Sequence, residues 1–166
     1  TGSLLRTTRV SSRMRYVQEI RRRAKVAHPF EITYIARQEE QSRLANFALC
    51  CRYYDLLGAF MLDVIREKLA RHDTILTNMD FYSFFEEKSR THPELTRLAE
   101  TSRRKVQTVI ARMLAEAGLM NTSTKELTTP FIPQILIGEY LRAGDQSALM
   151  HILASSSDIQ HALRSL

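Results

Sequence analysis

Side chains able to hold phosphate oxygens gather in two stretches of this 166-residue sequence. Residues 1–25 carry Arg6, Arg9, Arg13, Arg15, Arg21, Arg22, Arg23 and Lys25 against the single acid Glu19, an excess of seven positive charges, whereas residues 26–166 carry 16 basic and 17 acidic groups. A polyanion meeting the basic end gains from charge neutralisation and counterion release, which makes nucleic acid the first partner to consider. The same pattern also fits a solvated helix face or an arm that docks on an acidic protein. The second stretch is Arg103-Arg104-Lys105 followed by Gln107, Thr108 and Arg112. Cations at the start of a helix oppose its dipole, so an incoming phosphate would satisfy both these side chains and the free N–H groups of the first turn.

Other chemistry is thinly represented. There is no phosphate-cradling glycine loop, no Cys-x-x-Cys pair, no His-Glu-x-x-His helix and no nucleophile elbow. The five histidines, at 28, 72, 92, 151 and 161, never fall four apart on one helix, so neither a local metal site nor a cofactor is expected. His72 beside Asp73 fits a helix C-terminus better than a catalytic pair. Glu39-Glu40 and Glu86-Glu87 sit at adjacent positions that do not face each other on a helix. A non-enzymatic protein is expected.

The elements that must position these groups are helical. An apolar fraction of 44% and a charged fraction of 25% suit a globular chain with a real core, and five Gly and four Pro favour long helices over a turn-rich β fold. The most apolar stretch, 47–65, is interrupted by Arg52, Asp55 and Asp63 and should not span a membrane. The basic N-terminus lacks the apolar run and small-residue cleavage site of a signal peptide, and Thr1 rather than Met opens the sequence, as in a fragment. Adjacent Cys50 and Cys51 in a helical pattern read as buried thiols in a reducing, cytoplasmic setting.

Val10, Met14, Val17, Ile20 and Ala24 predict an amphipathic helix over 11–27, and Pro29 opens a second through Arg37. A spine helix is expected over 39–71, with Leu44, Phe47, Cys51, Tyr54, Gly58, Met61, Ile65 and Leu69 on one stripe, roughly 45 to 50 Å long. Thr74-Ile75-Leu76 reads as a short extended run. Thr77 and Asp80 form a capping box for a helix whose Phe81, Phe84 and Phe85 face inward. Pro93 opens a short helix, Thr101 and Ser102 offer an N-cap for the next, and Gly118 closes it. Residues 119–131 predict a two-stranded hairpin with Lys125 at its tip. Helices from Pro133 and from caps Asp145 and Ser157 complete the chain. The expected division is a basic bundle with the spine over 1–72, a winged helix-turn-helix element over 73–132, and C-terminal helices over 133–166 packing on the bundle.

Strand, helix, short helix, turn, longer helix and hairpin is the element order of a winged helix-turn-helix, whose second helix enters the major groove while the hairpin touches flanking backbone. Val106, Val109, Ile110, Met113, Leu114 and Ala117 share one face of the longer helix, leaving Arg104, Gln107, Thr108, Ala111 and Arg112 on the other. Arg104, Gln107, Thr108 and Arg112 are therefore the groove candidates. Arg103, Lys105 and Lys125 are backbone candidates, joined by Arg13, Arg15, Arg22 and Arg23 of the basic start.

The run from Asp73 to Leu119 resembles the BrxA family of bacterial BREX (bacteriophage exclusion) defence systems. Asp73, Thr74, Leu76 and Thr77 match its D-T-x-L-T start, and Phe81, Phe84 and Phe85 its aromatic helix. Ser102 and Lys105 match its Ser/Thr-x-x-K turn, and Arg112, Leu114, Glu116, Ala117, Gly118 and Leu119 its closing pattern. The residues that family members carry before the arginine-rich helix are missing, and Met113 and Met120 replace common aliphatics. The resemblance implies a mainly α fold, a NusB-like helical bundle joined to a winged helix-turn-helix with a small β-hairpin. It also implies double-stranded DNA binding by an accessory component of phage defence, without fixing any contact residue. Some members bear an inner-membrane label, which this sequence contradicts. With no dense base-reading set, weak sequence preference and steep salt dependence are expected, alongside contacts with other phage-defence proteins. An RNA-binding helical protein and a protein-docking adaptor within a defence complex are the alternatives. RNA readers stack bases on exposed aromatics, whereas most aromatics here read as core.

Overall fold

The expected spine is one helical path with two interruptions. In the computed structural model, which describes residues 10–165, helices α1 (Val10–Ala24) and α2 (Pro29–Arg37) precede it. The path comprises α3 (Ser42–Tyr53), α4 (Asp55–Phe60), a π-helical turn over Met61–Ile65 and α5 (Arg66–Ala70). It starts later than Glu39 because Gln38 closes α2 in the left-handed region at φ 53°. The expected continuous helix breaks at Tyr54, which is extended at φ −106° and ψ 94°. The Tyr54 hydroxyl donates to Glu19 of α1, and its ring meets Tyr53 edge-on at 4.8 Å. Side-chain anchoring on a neighbouring helix here overrides the local helical preference. Gly58 follows from this kink: a Cβ there would lie 2.8 Å from the Cys51 carbonyl oxygen and 3.3 Å from His151 Nε2, so only glycine lets the two stretches approach.

Helices α6 (Asn78–Thr91), α7 (Pro93–Thr96) and α8 (Glu100–Glu116) come next. The capping box forms as expected: Thr77 N–H donates to Asp80 Oδ2 at 2.7 Å, and Thr77 Oγ1 accepts from the Asp80 amide. The N-cap expected at Thr101 or Ser102 does not form. Ala99 is the N-cap of α8, without a side-chain bond, and Glu100 occupies the first turn, where its charge suits the dipole. The Arg103 amide already donates to the Ala99 carbonyl at 3.1 Å, so the phosphate-seeking first turn expected at 103–105 is absent. Gly118, at φ 78°, takes the left-handed turn that releases the chain from α8.

The expected β-hairpin is also corrected. Among the described residues no strand forms; two isolated antiparallel bridges remain, Met120 with Leu127 and Ile75 with Glu126. The 119–128 segment divides its hydrogen bonds between two neighbours: Thr128 N–H donates to the Leu119 carbonyl at 2.9 Å, while Leu127 N–H donates to Thr74 at 2.7 Å. Between the bridge partners, Asn121 Oδ1 accepts from the Ser123 and Thr124 amides and Lys125 adopts φ 60°, a side-chain-organised turn that leaves no length for a ladder.

The chain ends with α9 (Gln134–Arg142), α10 (Gln146–His151) and α11 (Ser156–Leu163). Asp145 caps α10 by accepting from the Ala148 amide at 2.9 Å. The last cap is Ser155 with Asp158 as its box partner, two residues before the expected Ser157.

Two apolar clusters share α3. One joins Phe47 and Cys51, through Phe60, Met61 and Ile65, to Phe81 and Phe84 of α6 and to Ile110 and Leu114 of α8. The other joins Leu44, Ala45 and Ala48 to Tyr34 of α2 and to the α9–α11 segment through Leu136, Ile137, Tyr140 and Leu149. A buried polar junction sits beside the second cluster. Arg52 donates to Glu31 Oε1 and Oε2 at 3.0 and 2.9 Å and to Asp145 Oδ2 at 2.5 Å. Glu31 is fully inaccessible and also accepts from the Tyr140 hydroxyl at 2.8 Å. Burial works against charge on Arg52, but the bonds to Glu31 and Asp145 outweigh it and hold the guanidinium above its ordinary pKa. Among the described residues, no helix is long and apolar enough to cross a membrane.

Candidate nucleic-acid interface

Helix α8 positions most of the expected contact residues because its buried face is narrow. Ile110, Leu114 and Ala117 are buried and Val106 and Met113 partly so, whereas Val109, expected inward, is 43% exposed. The opposite stripe faces a groove between α8, the N-terminal half of α6 and the 119–128 turn. One cavity of about 570 Å³ includes Arg103, Arg104, Gln107 and Thr108, and a second of about 390 Å³ includes Gln107, Thr108, Arg112 and Lys125. Both cavities share Asn78, Phe81, Gln107 and Thr108, so they run together along α8.

Within this groove the side chains divide by how they are engaged. Arg104 and Arg112 are exposed and make only same-helix pairs, with Glu100 at 3.1 Å and Glu116 at 3.7 Å. Lys125, and Lys105 on α8 outside the groove lining, are exposed and enter none of the ion pairs among the described residues. Exposed same-helix pairs of this kind contribute a few tenths of a kcal/mol, so a phosphate competes easily for either arginine. Gln107 and Thr108 are committed elsewhere: the Gln107 amide donates to Asn78 Oδ1 at 2.6 Å, and the Thr108 hydroxyl to the Arg104 carbonyl at 2.9 Å.

Arg103 is placed differently from its neighbours. Its side chain is 18% exposed, pairs with Glu86 of α6 at 2.8 Å and donates to the Leu95 carbonyl at 3.3 Å. It braces α6 and α7 against α8. Asn78 and Tyr82 were not singled out by the sequence, yet both line the groove, and Tyr82 is 58% exposed. Their signal was available, since Tyr82 follows the inward Phe81 and must point away from it.

None of the arginines of α1 is among the residues that line this groove. Arg23 is half-buried: a guanidinium nitrogen donates to Cys50 Sγ at 3.4 Å, and its Nε has no acceptor among the described residues. Burial opposes its charge, but the Cys50 bond and the nearby Cys50, Tyr54 and Glu19 outweigh that, and its pKa is raised. Glu116, at the far end of α8, is the α8 carboxylate close enough to act on Cys50. Arg15 and Arg22 are exposed, Arg13 is partly covered, and Arg6 and Arg9 lie outside the described residues. Cys50 and Cys51 are both buried free thiols, and burial pushes both thiol pKa values up.

A family model described as BrxA matches residues 1–144. The chain belongs to the BrxA family. A relative named BREX protein BrxA, from Bacillus cereus (strain H3081.97), is 31% identical over 100 residues, which is 59% of this chain and 50% of that one. This BrxA-family chain thus spans about half the length of the curated relative it matches. A crystal structure of an uncharacterized protein from Magnetospirillum magneticum superposes with a TM-score of 0.70 at 20% identity, covering 80% of this chain and 70% of that one. That likeness concerns the fold alone. The inner-membrane label given to some BrxA members finds no matching helix among the described residues.

Proposed function

We propose that this protein is a non-enzymatic, double-stranded DNA-binding accessory component of a BREX phage-defence system, with low sequence specificity. The observation that carries this reading is the convergence of Arg104, Arg112 and Lys125, from two separate elements, on the rim of one groove. Low specificity follows from how the groove is engaged: the cations that suit phosphates are exposed, while the amide and hydroxyl suited to base edges are tied to Asn78 and Arg104. A winged-helix relationship is part of the proposal. The order α6, α7, α8 and a turn bridged back to both Met120 and Ile75 supports it, with α8 as the helix nearest the duplex. The role in defence, with other defence proteins as partners, is supported by the family and by the name of the Bacillus cereus relative. A cytoplasmic, reducing setting goes with this reading and suits the free Cys50 and Cys51.

Binding of unrelated duplexes at about 50 and 200 mM salt tests the proposal, since each phosphate contact adds roughly −0.9 to the logarithmic salt slope. Binding at the lower salt that collapses at the higher supports it; no binding at the lower salt sinks it. Exposed Tyr82 beside the groove favours RNA as the second reading, because a free ring can stack an unpaired base. Structured RNA that outcompetes duplex DNA at fixed salt would favour that second reading.

A further inference from the structure

A second groove, lined by Ile20, Ile32, Ile35, Ala36 and Leu49 with Arg23 beside them, lies between α1, α2 and α3 and has a volume of about 280 Å³. Ile20 is 51% and Ile32 47% exposed, so the sequence's amphipathic face on α1 is only partly covered by the rest of the chain. Its volume falls below the roughly 300 to 1,000 Å³ of small-molecule pockets, and its walls are aliphatic, which suits inserted side chains better than a soluble ligand. The surroundings are cationic. Arg21 on α1 and Lys25 just after it are exposed, as is Arg43 on α3, one turn from the groove residue Asn46. None of these three enters an ion pair among the described residues. The one α1 carboxylate, Glu19, accepts from the Tyr54 hydroxyl. Arg23 itself is held by the Cys50 sulfur, with its Nε buried, so the exposed cations around the groove are the ones a partner meets.

We propose that the α1–α2–α3 groove docks an acidic amphipathic helix of a partner protein, whose aliphatic residues enter between Ile20 and Ile32 and whose flanking carboxylates meet the α1 cations. Charge complementarity commits the occupant. DNA would satisfy the arginines but offers nothing to an aliphatic groove, and a lipid surface suits a convex apolar face better than a concave one. The inference is independent of DNA binding at α8, because it uses neither that groove nor its residues.

The test uses the full chain and a fluorescein-labelled helical peptide carrying leucines at i, i+4 and i+7 with glutamates on the flanks. Controls are a peptide of the same composition with its leucines scattered around the helix, a lysine-for-glutamate version, and anionic phosphatidylserine vesicles. The acidic amphipathic peptide is expected to bind at least about tenfold more tightly than either control peptide, a difference of about 1.4 kcal/mol. Ile20→Ser with Ile32→Ser should remove that difference while helicity and duplex binding stay unchanged. If the double variant fails to fold, Ala36→Arg on the exposed wall of α2 must produce the same loss. Equal binding of the scattered-leucine peptide, peptide binding insensitive to these variants, or preference for the vesicles overturns the proposal. So does a concentration-dependent dimer that the variants abolish, since the groove would then hold a second copy of the chain.

Discussion

The groove beside α8 and the groove between α1 and α3 both carry arginines, yet they are built differently. Beside α8 the cations stand on an exposed stripe next to polar side chains that are already engaged, Gln107 with the Asn78 side chain and Thr108 with the Arg104 carbonyl. Between α1 and α3 the lining is largely aliphatic, and its arginine, Arg23, is half-buried against a cysteine. Equal charge therefore does not mean equal function. What lies between the charges decides whether phosphate or an aliphatic side chain completes the surface.

The strongest way to separate the two regions is to loosen one of them from inside. Arg52→Leu leaves Glu31 fully buried without its cation, in the junction that joins α2, α3 and the start of α10. Losing one partner of a buried pair costs about 3 to 5 kcal/mol, readable as a lower urea midpoint. The apolar groove rests on α2 and α3 and should lose its peptide at urea concentrations where the α8 groove still binds duplex DNA. Simultaneous loss would show that both grooves belong to one cooperative unit. The Arg104→Ala, Arg112→Ala pair should act in the opposite sense. It should reduce duplex affinity by about ten- to a hundredfold at low salt and flatten the logarithmic salt slope by about two, with peptide binding at α1 unchanged. An unchanged duplex affinity would move the DNA site away from α8.

Why the sequence conveyed one groove and not the other follows from the kinds of signal involved. The Thr77–Asp80 capping box, the inward phenylalanines, the Asp145 cap and the α8 stripe apart from Val109 are local patterns that survive in the fold. The break at Tyr54 depends on Glu19, 35 residues away. The burial of Arg103 depends on Glu86, 17 residues away, and no periodicity encodes either pairing. Because α8 starts at Glu100, an acid that suits the dipole stands in its first turn, and the basic run does not fall where a phosphate would relieve it. The apolar groove is not legible in the sequence for a related reason. Ile20 has the spacing of a core residue, but covering it requires a neighbour that α2 and α3 only partly supply.

A smaller effect comes from acid pH and should not distinguish the regions. His151 is buried on α10 beside Gly58, its Nδ1 has no partner, and burial holds its pKa below the ordinary value of about 6.5. The unfolded chain therefore binds the extra proton first, and stability present above that ordinary value is lost as pH falls through the folded pKa. Asp145 adds to the loss at lower pH. Burial raises its pKa, but the Ala148 amide, His28 and Arg52 outweigh that and hold it below the usual carboxylate range, so its contribution disappears as it protonates. Urea midpoints measured as pH falls should decline in the wild type, and His151→Gln should flatten the first part of that decline. An identical profile in the variant would show that His151 is not the group titrating.

The smallest change tests the division within the α8 groove itself. Arg103 belongs to the basic run that first suggested phosphate binding, but its guanidinium is spent on Glu86 and the Leu95 carbonyl. Arg103→Ala should therefore lower stability by about 1 kcal/mol, a modest figure because Glu86 is half-exposed and water screens the pair. The salt slope of duplex binding should keep its wild-type value, since no phosphate contact has been removed. Lys105→Ala, one residue on, should do the reverse: leave the urea midpoint in place and reduce the slope by about one. If Arg103→Ala instead reduces the slope, its side chain leaves Glu86 when DNA arrives, and the brace between α6 and α8 is itself part of the binding surface.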